Sequence, residues 1–315
     1  MKLYKKIIAL SLAIITLFTC ALTMGACTQK VSVTFVQEGY ENKVVSVKKG
    51  TPLKSLSKPK AVDDDSLIIE WNAKEDFVIE NDVTIAATSY TEGLSFEKGT
   101  HLGKTSYTVV GYNGSHDKVV IPEFYRGGSV RSIKAQVFQR NLIIKEVVLP
   151  EGLVSMGVYA FYGAKNLTKI NIPSTLSNLQ SHVFGDTSIE GSITIPDNIT
   201  EAGLRAFWAA KFDFLNTNNI KSAGQFAFGG QKLKTIVWDV KLTKVYDNTF
   251  YMQPVEEIFY TGDESDWAEI EFLEVDYEGT NANPKYGAAQ KLLQEATIYY
   301  YLDWEYVDGV PTPIN

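Results

Sequence analysis

Phenylalanine recurs at a nearly fixed interval through the middle of this 315-residue chain, at Phe138, Phe161, Phe184, Phe207, Phe228 and Phe250, with spacings of 23, 23, 23, 21 and 22 residues. A period of this length marks a stack of supersecondary units. The neighbours keep step. Eight residues before each Phe stand Val130, Leu153, Leu176, Ile199, Ile220 and Leu242, and five before stand Ile133, Met156, Leu179, Ala202, Ala223 and Val245. One before stand Val137, Ala160, Val183, Ala206, Ala227 and Thr249. A β-type run closed by proline precedes the first four units: Val-Val-Ile-Pro122, Val-Val-Leu-Pro150, Ile-Asn-Ile-Pro173 and Ile-Thr-Ile-Pro196. Proline ends a strand because it has no N–H for the ladder. The first two prolines are 28 residues apart rather than 23, which places an insertion at residues 124–128. Gly157, Gly203 and Gly224, four before their Phe, are expected to supply positive φ at a tight bend.

One such unit cannot bury its own apolar face, so the units must stack, with parallel strands about 4.8 Å apart and a ladder about 29 Å long for six of them. Units five and six lack the proline, and Phe212-Asp213-Phe214 leaves their register open. Ile-x-Ile-Pro, the apolar bend and the Ala160-Phe161, Ala206-Phe207 and Ala227-Phe228 pairs resemble the BspA-like leucine-rich repeat family, from Tyr107 to about Tyr260. That resemblance implies a leucine-rich repeat solenoid and a surface binding role. Tyr107–Tyr112 would open the stack, with Asn113-Gly114 as a turn. Glu257–Tyr260, Trp267 and Ala296–Tyr299 would close it, with a short helix over Tyr286–Glu295 and a frayed tail after Tyr306.

The first thirty residues read as an export signal: Lys2, Lys5 and Lys6, an apolar run from Ile7 to Phe18, then Met24-Gly25-Ala26-Cys27. The segment resembles a bacterial lipoprotein signal, which implies cleavage before Cys27 and diacylglycerol on its thiol. The apolar run is short for a span of about 20 residues, so the expected membrane link is the lipid alone. Both cysteines, Cys20 and Cys27, lie in this segment, which excludes a disulfide framework or a cysteine-based zinc site from the body. The chain carries a net charge of −7, which becomes −10 once residues 1–26 are removed, and it has no basic block, so nucleic acid is not an expected partner.

Between the signal and the repeats, Val33/Phe35 and Val45/Val47 alternate as half-buried strands do. Val33-x-Phe35, Gly50, Trp71 and Val83-Thr84-Ile85-Ala86 resemble the Listeria–Bacteroides repeat, a small β-grasp-like module, although Glu38-Gly39 stands where that family has a double glycine. Asp63-Asp64-Asp65 lacks the spacing of a calcium loop and reads as a solvated turn. The organisation is therefore mainly β: signal 1–26, tether 27–30, β-grasp-like module 31–90, solenoid cap 91–118, repeats 119–256, and cap and tail 257–315.

Chemistry is sparse. His116 lies between Ser115 and Asp117, but adjacent residues face different ways. His182 shares its slot, two before the Phe, with Gln136, Tyr159, Arg205 and Asn248, a mixture that predicts a solvent or edge position. Glu256-Glu257 and Asp263/Glu264 read as surface charge. No catalytic, metal or cofactor site is expected. Just after each Phe come Gln139, Tyr162, Gly185, Trp208, Gly229 and Tyr251, so Tyr162, Trp208 and Tyr251 form a row of aromatics separated by small residues. The row either caps the core rim or is open to a ligand. The inserted Phe124-Tyr125-Arg126 is a second candidate. The expected function is a monomeric surface scaffold for an extracellular protein or glycan. A wall- or polysaccharide-acting enzyme and a transport solute-binding lipoprotein are the alternatives.

Overall fold

The computed structural model describes residues 29–37, 41–59, 67–230, 232–246, 248–273, 293 and 295–314. Cys20, Cys27 and the Asp63–Asp65 run lie outside the described residues, as does most of the helix expected over 286–295. Of that stretch only Leu293 and Glu295 are described, both helical.

The leading module is a four-stranded sheet in the order Lys43–Lys48, Lys30–Val36, Val83–Thr91, Leu67–Trp71. Its two central strands, Lys30–Val36 and Val83–Thr91, lie side by side in parallel, with Val33 opposite Val83 and Phe35 opposite Ile85. The alternating pattern explains the face: Val31, Val33, Phe35 and Ile85 are buried with Leu53, Ile79 and Trp71 in a small core. Trp71 meets Phe35 edge to face at 5.4 Å, the geometry aromatic quadrupoles favour.

The module does not end in a linker. Strand Val83–Thr91 runs on into the solenoid, and the fully buried Thr91 Oγ1 accepts the Val120 N–H at 2.8 Å while donating to the Lys118 carbonyl at 3.3 Å. Next comes a hairpin, Leu94–His101 with Lys104–Tyr112. Its second strand lies parallel to Gly128–Ile133 and closes the start of the stack.

The repeats form coils joined along three rails. One rail is a parallel ladder of strands Lys118–Val120, Glu146–Val148 and Lys169–Ile170, continued by Glu190–Thr194, Lys211–Asn216, Thr235–Trp238, Glu257–Tyr260 and Thr297–Tyr299. Between Ile170 and Glu190 the regular pairing lapses, and single bonds such as Glu190 N–H to Thr168 carbonyl, 3.1 Å, hold the coils together. The second rail carries Glu201–Ala202, Ser222–Ala223, Lys244–Tyr246 and Glu271–Leu273. The third lies at the bend itself, where Phe138, Phe161, Phe184 and Phe207 each donate their N–H to the carbonyl one coil on, at Ala160, Val183, Ala206 and Ala227, over 2.8–2.9 Å.

Inside the rails the six repeated Phe side chains are all buried to 1% exposure or less. They stack ring on ring, with centroids 4.9, 5.6, 5.0, 6.0 and 5.6 Å apart and planes within 26°. The spacing follows the strand spacing of about 4.8 Å that the ladder imposes. The aliphatic residues eight and five before each Phe are also buried and complete one continuous core.

Two expectations are corrected, and the open register of the fifth unit is fixed. Gly157, Gly203 and Gly224 do not have positive φ; left-handed residues stand instead two before each of the first five Phe, at Gln136, Tyr159, His182, Arg205 and Phe226. The glycines are needed for close approach: a Cβ on Gly157 would stand 2.3 Å from Ala135 N, and one on Gly203 2.8 Å from the Leu179 carbonyl oxygen. The fifth unit finds its register by a bulge, with Gly191 opposite Phe212 and Ser192 opposite Phe214, so Asp213 bulges out and Asn216 pairs with Thr194. Thr217 then follows in line with Ile195 of the coil before and, like it, is buried, its Oγ1 accepting the Asp239 N–H at 2.9 Å. Finally, the tail is ordered. Trp304–Val307 pairs with Val310–Pro313, and Trp304 Nε1 donates to the Tyr260 carbonyl at 3.0 Å.

Candidate functional site

The bend face follows from the third rail. Because the backbone turns left-handed two residues before each of the first five Phe, side chains of successive coils in that slot become neighbours along the stack. Tyr159 and His182 stack with ring centroids 4.5 Å apart, and Tyr162 meets His182 edge-on at 5.7 Å. One coil further, the Arg205 guanidinium carbon lies 5.7 Å from the Trp208 ring centre and 5.1 Å from that of Phe226. Trp208, Phe226 and Tyr251 close a triangle with centroids 5.2, 5.9 and 5.4 Å apart.

The three aromatics just after the Phe, Tyr162, Trp208 and Tyr251, are thus all in this ridge and all half-buried. The small residues between them have a steric reason. A Cβ on Gly229 would come within 2.7 Å of Trp208 Cε3 and Cζ3, and one on Gly185 within 3.2 Å of Tyr162 Cδ2. Tyr162 and Trp208 each cover the glycine of the next coil. The row therefore seals the rim and keeps part of its own surface uncovered.

His182 departs from the expectation of a solvent slot: it is 7% exposed, and Asn248 in the same slot is fully buried. Burial, aided by the nearby Arg205 charge, holds the His182 imidazole below its ordinary pKa, so the neutral ring is the stable form. Its Nδ1 has no hydrogen-bond partner among the described residues.

The inserted residues lie elsewhere. Phe124 and Tyr125 pair with Ser129 and Gly128 in a tight hairpin. Tyr125 stacks on Phe96 at 4.1 Å and meets Tyr90 and Tyr107 edge-on at 6.0 and 5.0 Å. Burial beneath this cluster pushes the Tyr90 hydroxyl up to about 12. Arg126 is exposed, with its guanidinium carbon 5.1 Å from the Tyr125 ring centre. Glu70 of the leading module accepts from the Arg126 backbone, which partly offsets the burial that raises its carboxyl pKa. The insertion thus joins the module to the solenoid and stands apart from the ridge.

The remaining polar candidates have structural duties. Asp117 pairs with Lys145 at 3.2 Å and Glu256 with Lys234 at 2.8 Å. Asp263 caps the helix Glu264–Ala268, with Asp266 completing a capping box. Among the described residues no group of three His, Cys, Asp or Glu side chains converges as a metal site would require. A groove along the second rail is lined by Asn178, Gln180, Glu201, Ser222, Lys244 and Tyr246.

The stack of short parallel strands with one buried Phe per coil defines a leucine-rich repeat solenoid. Residues 131–256 match six copies of the BspA type leucine rich repeat region. No curated protein matches the chain. Among solved structures, the T. pallidum leucine-rich repeat protein TpLRR is 18% identical over 52% of this chain and 82% of its own, with a TM-score of 0.39. A leucine-rich cell surface protein of Faecalibacterium prausnitzii is 22% identical over 63% of this chain and 46% of its own, with a TM-score of 0.41. The pneumococcal vaccine antigen PcpA is 17% identical over 67% and 48%, with a TM-score of 0.41. The chain thus spans about half the length of the last two proteins.

Proposed function

We propose that this chain is an exported, lipid-anchored binding scaffold whose ligand, an extracellular protein or glycan, docks on the aromatic ridge of the bend face. The observation that carries the reading is the ridge itself. Tyr162, Trp208 and Tyr251 keep part of their surface open in one continuous row, on a backbone whose every coil is locked to the next. Rigid aromatics fixed by a packed support lose little side-chain entropy on binding, which is what makes them anchors. The repeat match over 131–256 supports the scaffold role.

Export rests on the Lys2–Lys6 head, the apolar run and the small residues before Cys27. Two acyl chains on that thiol would hold the protein at a membrane where one would be marginal. The parallel pairing of Lys30–Val36 with Val83–Thr91 supports a Listeria–Bacteroides-type module as the spacer between anchor and solenoid.

Capture from surface and matrix extracts tests the ridge. The wild-type chain is expected to retain a ligand that the Tyr162→Ala/Trp208→Ala chain loses; equal capture by both refutes the assignment. Mass spectrometry of the native protein tests the anchor, with a diacylated N-terminal Cys27 expected and an intact Met1 contradicting it.

A further inference from the structure

The charge of the bend face runs opposite to that of the chain. From four residues before each Phe to two after, the six stretches hold three basic residues, Lys134, Arg140 and Arg205, against two acids, Asp186 and Asp247, in a chain whose net charge is −7. Asp186 is engaged by Lys165 at 3.5 Å. Arg205, in the middle of the ridge, is exposed, and no carboxylate among the described residues lies within 4.0 Å of it. Its guanidinium is nevertheless held, lying against Trp208 and Phe226 at 5.7 and 5.1 Å from their ring centres. Cation–π contacts of this kind fix the plane of the group without neutralising its charge or using its N–H donors.

We infer that Arg205 is the anion-recognising residue of the ridge and that the ligand is an acidic glycan, bearing carboxylate or sulfate. This rests on the scaffold reading above and names its ligand chemistry. A planar guanidinium offers two parallel N–H bonds to a carboxylate or sulfate. Along the same ridge, the half-buried rings of Tyr162, Trp208 and Tyr251 leave aromatic surface that suits the weakly positive C–H faces of pyranose rings.

An acidic peptide is the less favoured ligand. Extended peptides gain much of their affinity from main-chain bonds to an open strand edge. At this point of the bend the amides already serve the next coil: Arg205 donates to the Gln225 carbonyl at 2.9 Å, Phe207 to Ala227 at 2.8 Å and Ala209 to Gly229 at 2.8 Å. Around Arg205 the ridge offers side-chain faces and a cation, with these amides already engaged.

The test uses the full chain purified in detergent from expressing cells. Four probes are titrated: a uronic-acid oligosaccharide, its carboxyl-reduced neutral counterpart, a sulfated oligosaccharide, and oligoglutamate. Wild type should bind at least one acidic sugar roughly tenfold or more tightly than the neutral one, the scale of a charge-assisted pair. The uronate and sulfate arms tell which anion is used. Arg205→Gln should abolish the preference and Arg205→Lys should retain part of it, with both variants melting as wild type because the side chain is exposed. An undiminished preference in Arg205→Gln, oligoglutamate binding as tight as that of the sugars, or no binding of either acidic sugar would overturn the inference. Should Arg205→Gln change nothing while capture still depends on Trp208, the scaffold reading stands and the acidic-glycan assignment falls. Should capture not depend on Trp208 either, both fall.

Discussion

Trp208 lies across Gly229 of the next coil so closely that a methyl group there would stand 2.7 Å from its Cε3 and Cζ3. Gly229→Ala is therefore expected to displace the indole, break its contact with Arg205 and expose it to water. The readout is a red-shifted tryptophan emission, absent when the same change is made in a Trp208→Phe background. Gly185→Ala, whose Cβ would stand 3.1 Å from the Arg205 carbonyl oxygen and 3.2 Å from Tyr162 Cδ2, should displace its ring less, because both contacts are looser than those at Gly229.

A different glycine should matter more for stability. At Gly157 the obstacle is backbone, Ala135 N at 2.3 Å, and backbone held by the rails cannot swing aside. Gly157→Ala is expected to cost about 1–3 kcal/mol or more, the range of overpacked sites. Gly191→Ala meets nothing within 4 Å and pays only for its φ of +79°, about 1–2 kcal/mol. Urea unfolding of the two variants gives the order.

The Phe column makes the middle of the stack the costliest place to open. Phe184 is fully buried, with Phe161 and Phe207 stacked at 5.6 and 5.0 Å. Phe184→Ala should destabilise by about 3–5 kcal/mol, measured by denaturant melts, while Phe184→Leu should cost distinctly less.

His182 sets a pH dependence. Its folded-state pKa lies below the ordinary 6.5, so the unfolded chain takes up this proton first as pH falls. Its contribution to stability is constant above that value and declines as pH drops below it toward the folded pKa. The melting temperature of wild type should fall over that acid range more than that of His182→Phe, which keeps the stack on Tyr159 and has nothing to protonate. Parallel curves would contradict this.

Thr91 joins the two cores through its bonds to Val120 and Lys118. Thr91→Val keeps the shape and removes the bonds, leaving the part-buried Val120 N–H without its acceptor, at a cost of about 1–3 kcal/mol. Hydrogen exchange should rise first at the Val120 amide and along the strand 83–91.

The solenoid was legible in the sequence because its core is written three times per unit. The slots at Leu153, Met156 and Phe161 recur with the same burial in every coil. The bend was less legible. Local propensity assigns positive φ to the glycines, whereas Tyr159, His182 and Arg205 adopt it, stabilised by hydrogen bonds between coils that local propensity does not register. The burial of His182 escaped for the same reason: Tyr159 and Tyr162, which cover it, come from the neighbouring coil. The role of the 124–128 insertion depended on Phe96, Tyr90 and Glu70, distant in sequence and brought to it by the fold. The closing hairpin at Trp304–Pro313 was obscured by Pro311 and Pro313, residues that suit an edge strand as well as a frayed tail.

The most direct test of the central claim is a glycan and matrix-protein array probed with the wild-type chain and with the Tyr162→Ala/Trp208→Ala chain. The account predicts a defined set of ligands bound by wild type, acidic sugars foremost, and lost in the variant while its melting transition persists. The same ligands bound equally by both chains would contradict it.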